Sequence, residues 1–269
     1  MTVSCEHASS LYSPTLRERL RTQPVGSVAV VAIAGRDSVA AILKALLDDE
    51  TIRIIVPTSI GTGTEYGDAS VIADANIYLR ARIEELRSEG HLNREIEVLD
   101  VTRFGSPEIW ASLNGAPAAT LNELFGMNSP CLACHLYVHL ARIPLCLDLS
   151  VTKLISGERD THDGRIKLSQ TIDSIDAEVR ILAHAGIDFI CPLRTMSGEE
   201  IGELVPNWAE GKKQLECVHS KNYLLPDGSV AYDRATHQKY IQEFFEPAGL
   251  DIVDAWLSAR EKTQGAEID

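Results

Sequence analysis

The chain has 269 residues, and its 25 Lys+Arg against 39 Asp+Glu give a formal charge of −14. That length admits one large domain or one domain with an appendage, and 45% hydrophobic with 24% charged residues is the balance of a folded protein. Disordered, collagen-like and coiled-coil classes are excluded on composition. So acidic a surface repels polyanions on average, which disfavours non-specific attraction to nucleic acid while leaving room for a local basic groove. The longest apolar runs, 28–34 and 140–149, fall short of the roughly 20 residues of a membrane helix, so no span is expected. The opening run MTVSCEHASS lacks a basic stretch followed by an apolar one, so the expected compartment is the cytoplasm.

Residues 1–26 read as an N-terminal extension holding a short helix, with Ser13 as its cap and Pro14 in its first turn. The run SVAVVAI at 27–33 is apolar on both faces, as in a parallel strand covered by helices. Val39, Ile42, Leu43 and Leu46 then fall at helical spacing, with Asp37 and Ser38 placed to cap. A second strand is predicted at 52–57, a long helix over 66–89 closing at Gly90, and a third strand at 95–101. Further on, helices are predicted over 132–147 and 174–185, strands at 153–156 and 188–190, and a helix beginning at Ser197. A turn at Pro226-Asp227-Gly228 and a helix near 238–245 fall in a C-terminal extension, 221–269. The expected fold is α/β, a three-layer Rossmann-like parallel sheet with helices on both faces, its main domain spanning 27–220. Ligands of such sheets bind where strands end and helices begin.

Between the first strand and its helix stands Ala34-Gly35-Arg36-Asp37-Ser38. Small residues let backbone N–H groups approach an anion, and the helix N-terminus adds partial positive charge, which suits phosphate. Neither GxGxxG nor GxxxxGK[ST] is present, so the ordinary dinucleotide and Walker readings are set aside. A plain capped turn between strand and helix is the competing explanation.

Six cysteines, Cys5, Cys131, Cys134, Cys146, Cys191 and Cys217, do not read as a disulfide framework in this context. Cys131 and Cys134 open a helix, where the N-terminus favours a thiolate, and Cys217 lies in a polar stretch. A redox dithiol, an iron–sulfur cluster and a zinc site all fit a CxxC, and for zinc the fourth ligand could come from His135, His139, Cys191 or His219. Cys146 and Cys191 read as core residues.

The loop resembles the PP-loop of the ATP pyrophosphatases, S-G-G-x-D-S at the same place: Gly35, Asp37 and Ser38 match, while Ile33 stands for the usual Ser and Ala34 for the first Gly. The resemblance implies binding of ATP with Mg²⁺ by Ala34, Gly35, Arg36, Asp37, Ser38 and Gly157. A subgroup of these enzymes that thiolates tRNA carries a CxxC and a third cysteine further on. By that resemblance Cys131, Cys134 and Cys217 would hold a 4Fe–4S cluster, with Zn²⁺ as the alternative. The polar loop 155–164, dense in ionisable side chains, and the Pro192-Leu193-Arg194 turn also take positions known in the family, although Ser197 and Glu200 form a capping box that explains the latter locally. From that loop Asp160 and Arg159 join Asp37 as candidate catalytic residues, and Lys167 is a further phosphate partner.

The function implied is an ATP-dependent sulfur transferase that adenylates a carbonyl oxygen and replaces it with sulfur from sulfide or a donor protein. A free nucleobase or other small heterocycle is favoured over tRNA, because the chain lacks paired zinc ribbons and a strongly basic arm. The alternatives are a tRNA thiolase of the same chemistry, a cluster-dependent desulfurase, and a non-enzymatic zinc- or cluster-containing nucleotide sensor. A homodimer is compatible with each.

Overall fold

A computed structural model describes residues 10–126, 130–208, 215–219, 224–230 and 232–266. Helix α1 (Pro14–Arg21) starts where expected: the Ser13 hydroxyl accepts from the Leu16 N–H at 3.3 Å and Pro14 occupies the first turn. Then come β1 (Val28–Ala32), α2 (Arg36–Asp48), β2 (Ile54–Ile60), a two-residue β3 (Glu65–Tyr66) and α3 (Ser70–Ser88). Gly90, just past α3, takes φ +79°, the left-handed value that ends helices. The single strand predicted at 95–101 is instead two short pieces, β4 (Glu97–Val98) and β5 (Thr102–Phe104).

That interruption explains why β2 runs on through Pro57. Ile55 O accepts from Leu99 N on the β4 side, and Pro57, two residues later, faces the same way. There the neighbouring strand is broken, so the missing proline N–H leaves no ladder bond unmade.

Helices α4 (Pro107–Trp110) and α5 (Ala118–Phe125), joined by a π turn (Ala111–Gly115), were not foreseen. The single helix predicted over 132–147 is broken into α6 (Pro130–Leu140) and α7 (Ile143–Leu149), with Pro144 in the first turn of the second. By length and hydropathy Pro130–Leu149 could cross a membrane, but 61% of it is buried inside the fold. After it come β6 (Lys153–Ile155), α8 (Ile172–His184), β7 (Asp188–Ile190), α9 (Gly198–Leu204) and β8 (Glu216–Cys217). The C-terminal part forms α10 (Arg234–Tyr240), a π turn (Ile241–Phe245) and α11 (Glu246–Ala266). The sequence sets 221–269 apart as an extension, yet Phe245, Val253 and Trp256 are buried in the same core as the central strands.

The main sheet has six strands in the order β4-β2-β1-β6-β7, with β5 also on β2, and every pairing is parallel. Alternate residues of β1 feed two cores, as a strand period of two requires. Val28 and Val30 pack with α5 to α8 and α11 on one face, while Ala29 and Val31 pack with α2, α3 and α9 on the other. This is the three-layer α/β arrangement. The chain leaves β1 toward β2 and later returns to β6 on its other side, so the strand order reverses at β1/β6.

Candidate functional site

At that reversal the carboxyl ends of β1, β2 and β6 open into a cavity of about 750 Å³ lined by residues 32–38, Ser59, Thr62, Glu65, Ser156, Gly157, Glu158 and Lys167 among others. The loop entering α2 is closed by Ser38, whose Oγ accepts from the Ala34 and Gly35 N–H groups at 2.9 and 3.0 Å and donates to Gly35 O at 2.7 Å. Ile33, which stands where the resembled loop has a hydroxyl, is 1% exposed and packs in the core under α2. Gly157 lies against this loop so tightly that a Cβ there would come 2.8 Å from Asp37 C and O and Ser38 N.

The cavity wall carries charges of both signs. Arg36, Arg142 and Lys167 face it together with the α2 N-terminus, offsetting Asp37, Glu65 and Glu158. Burial lowers the Lys167 ammonium below its ordinary value against the pull of Asp37 and Glu158, and it lowers Arg142 to about 10, still cationic at neutral pH. Arg142 is anchored from below by Thr58, its Nε donating to Thr58 Oγ1 at 2.8 Å and its Nη2 to Thr58 O at 3.2 Å. His162, buried beside Lys167 and Arg159, is lowered to about 4 by burial first and by those cations second, so it is neutral.

Three cysteines approach one another near Glu65, none of them lining the cavity. Cys131 and Cys134 occupy the first turn of α6, three residues apart and so on one face. Antiparallel pairing of β8 with β3 sets Cys217 opposite Glu65, whose side chain lines the cavity. Cys131 Sγ donates to His219 O at 3.5 Å, and His219 N–H donates to Cys217 Sγ at 3.4 Å, so one short segment touches both cysteines. Trp110 Nε1 donates to Cys134 Sγ at 3.4 Å and stacks on the His219 ring at 6.4 Å, while the Thr64 hydroxyl lies 3.2 Å from Cys217 Sγ.

Donors aimed at sulfur are the surroundings that ligating thiolates need. Without a metal, however, burial pushes Cys131 up to about 11, with Cys217 adding to it. It pushes Cys134 up to about 12 against the Trp110 donor. The helix N-terminus was expected to favour thiolates, and desolvation outweighs it, so a metal binding here must displace protons. Among the described residues, the one set of three ligand atoms within 4.8 Å of one another is His135, His139 and Glu178. The three cysteine sulfurs do not all lie within 4.8 Å of one another.

The remaining candidates divide. Asp37 sits at the mouth of the loop with Arg36 Nε at 3.0 Å and Arg159 Nη1 at 3.5 Å. Arg159 itself is nearly buried, reaching Met196 O at 3.3 Å and Asp163 at 3.5 Å. Asp160 is not brought to the cavity: its carboxylate accepts from Arg194 Nε at 2.9 and 3.1 Å. His135 and His139, weighed above as partners of the cysteines, turn instead toward Glu158 and Glu178. Cys146 is fully buried and Cys191 packs against the core, its thiol raised by burial and by the same two glutamates. Cys5 lies outside the described residues. Sequence reasoning missed Glu158, Glu178 and Arg142; the i,i+4 spacing of His135 and His139 was the one available signal.

The point where the strand order reverses carries a loop that resembles that of the PP-loop ATP pyrophosphatases, with the three cysteines near the Glu65 edge of the cavity. The chain belongs to the family of the uncharacterized protein MJ0009 of Methanocaldococcus jannaschii, with 33% identity over 228 residues, 84% of this chain and 79% of that protein. No family model matches the chain. Among solved structures, a 4-thiouridine synthetase in complex with RNA and ATP aligns at TM-score 0.46 and 15% identity over 87% of this chain. The chain spans only 55% of that synthetase's length. The U34-tRNA thiolase NcsA of Methanococcus maripaludis, solved with its [4Fe-4S] cluster, aligns at TM-score 0.34 and 13% identity, covering 92% of this chain and 78% of that one.

Proposed function

We propose that the chain is an ATP-dependent sulfur transferase acting on the carbonyl of a nucleobase or similar small heterocycle. The observation that carries the reading is a PP-loop-like turn on the cavity, with Cys131, Cys134 and Cys217 approaching one another around Trp110 and His219 close to Glu65 on its wall. In this reaction the carbonyl oxygen attacks the α-phosphorus of Mg²⁺-bound ATP, the bond to pyrophosphate breaks, and a sulfur nucleophile then displaces AMP, which leaves with the original oxygen.

The residues present divide the work. The loop 34–38 and the α2 N-terminus receive phosphate oxygens, with Arg36 and Lys167 countering the charge that develops on them. Arg142, fixed by Thr58, holds a positive charge at the wall of the cleft. Cys131, Cys134 and Cys217 would hold the 4Fe–4S cluster, with Trp110, Thr64 and the His219 N–H steadying the sulfurs. Bound there, the cluster supplies an iron not taken up by protein and open to a sulfur ligand.

The test is anaerobic purification with iron, sulfide and zinc analysis, followed by turnover of ATP with sulfide and free pyrimidine bases. The expected result is about four irons per chain, lost in Cys131→Ser, Cys134→Ser and Cys217→Ser, with AMP and pyrophosphate formed in step with thiolated base. Thiolation of bulk tRNA in place of free base would move the substrate to RNA. A chain that carries stoichiometric zinc on the three cysteines and binds no ATP would end the reading.

A further inference from the structure

We propose that His135, His139 and Glu178, with Glu158 beside them, form a site for a single first-row divalent transition ion in the wall of the cleft, separate from the three thiols. The i,i+4 spacing on α6 puts both imidazoles on one face, their ring centroids 5.0 Å apart. Across from them, α8 contributes Glu178, 0% exposed, and the turn after β6 contributes Glu158, 5% exposed.

The site is incomplete as four side chains alone. His139 is 1% exposed, yet neither of its ring nitrogens has a hydrogen-bond partner, and Glu178 Oε2 has none either. Polar atoms left without partners at such depth are costly, so groups left this way call for an explanation.

The spacings supply it. His139 Nε2 lies 3.9 Å from Glu178 Oε2 and 3.4 Å from Glu158 Oε1. Bonds of about 2.0–2.2 Å to nitrogen and oxygen put neighbouring ligands roughly 3.4 Å apart at a tetrahedral angle, and further apart at wider angles. One ion between these atoms therefore satisfies His139 Nε2 and Glu178 Oε2, two of the three unpartnered atoms. His135 has one nitrogen to give such an ion; its Nδ1 lies 3.1 Å from Glu178 Oε1 and its Nε2, on the opposite side of the ring, 3.1 Å from Glu158 Oε2.

The supports and the route are also in place. Ser156 Oγ donates to Glu158 Oε1 at 2.8 Å and Gln170 Nε2 donates to Glu158 Oε2 at 2.5 Å, so the carboxylate is oriented from outside the site. His135, His139 and Glu158 line the cavity, which gives an ion its way in. Two imidazoles with two carboxylates suit Zn²⁺, Fe²⁺ or Mn²⁺, whereas Ca²⁺ and Mg²⁺ prefer oxygen alone.

The experiment uses the full chain carrying Cys131→Ser, Cys134→Ser and Cys217→Ser, stripped with chelator and titrated with Zn²⁺ and with Co²⁺. One ion per chain is expected, with cobalt d–d bands and no thiolate charge-transfer absorption; adding His139→Gln or Glu178→Gln weakens binding about 10- to 100-fold. A folded triple variant that takes up no ion, or one whose binding is untouched by both substitutions, overturns the site. Should the triple variant fail to fold, the wild-type chain is compared with its Glu178→Gln variant: a difference of one ion per chain supports the site and equal counts refute it. Because the thiols are absent or common to both arms, failure here leaves the sulfur-transfer reading standing, and failure of that reading leaves this site standing.

Discussion

Gly157 rests on the backbone of Asp37: a Cβ at this glycine would stand 2.8 Å from the Asp37 carbonyl carbon and oxygen and from the Ser38 nitrogen. Backbone cannot swing aside as a flexible side chain can, so Gly157→Ala must push the turn after β6 away from the start of α2. The variant is expected to lose about 1–3 kcal/mol of stability by overpacking and to bind ATP at least tenfold more weakly. Calorimetric titration with a non-hydrolysable ATP analogue, alongside a thermal melt, checks both; unchanged affinity would show that the two loops do not share a ligand.

Ser38→Ala removes the hydroxyl that gathers the Ala34 and Gly35 N–H groups. Freed of that internal partner, the loop loses its shape as well as the link that ties it to α2. A melting free energy lower by about 1 kcal/mol is expected, the usual size of a lost helix-start hydrogen bond. Nucleotide affinity should fall further than stability, because the amides are then no longer held in register. Threonine at this position, which keeps the hydroxyl, should restore most of the affinity.

His237 sets an acid limit on stability. It is fully buried, with Nε2 3.0 Å from both the Thr171 and Ser174 hydroxyls. Burial lowers its pKa to about 4, against a weaker upward pull from Asp173. Between the unfolded value near 6.5 and about 4 the unfolded chain binds the extra proton, so stability is whole above pH 6.5 and declines as pH falls toward 4. His237→Gln should make the fall in melting temperature over that window shallower, leaving the share that His162 contributes, even if it melts lower at pH 7. An equally steep profile in the variant would assign the acid sensitivity elsewhere.

Asp49 governs a lower range. Burial acts to raise its carboxyl, but the Lys153 ammonium at 2.5 Å and the Thr51 hydroxyl and N–H outweigh burial and hold it at about 2. A carboxyl lowered in the folded state contributes stability above its unfolded pKa near 4 and loses it as pH falls toward 2. Asp49→Asn should therefore cost about 1 kcal/mol or less at pH 7, given its partial exposure, and nothing by pH 2. Urea melts at the two pH values read the difference directly.

The layered fold was legible because β1 is apolar at every position, a pattern that only a strand covered on both sides sustains. The α2 start was legible from its small residues and its serine. The final helix was not, since Pro247 and Gly249 near its start resemble a loop. Gly249 is there because a Cβ would meet Ile181 Cδ1 at 2.7 Å, so its absence allows α11 to approach α8 closely. Of the site, the CxxC pair could be read from spacing, whereas the approach of Cys217 depends on two-residue strands that leave no periodic trace. Glu178 was hidden for another reason: on α8 it reads as one more charged residue, and only packing against α6 reveals that it is fully enclosed.

The short β3–β8 pairing also has a consequence in time. Synthesis delivers Cys131 and Cys134 together, and Cys217 joins them only once the later strand has emerged and found Glu65 and Tyr66. Until then a nascent chain holds a bare dithiol, open to oxidation or to capture by a stray ion. Whatever requires all three sulfurs can be loaded only after β8 has been made and has paired with β3, which makes its presence a record that this late pairing has formed.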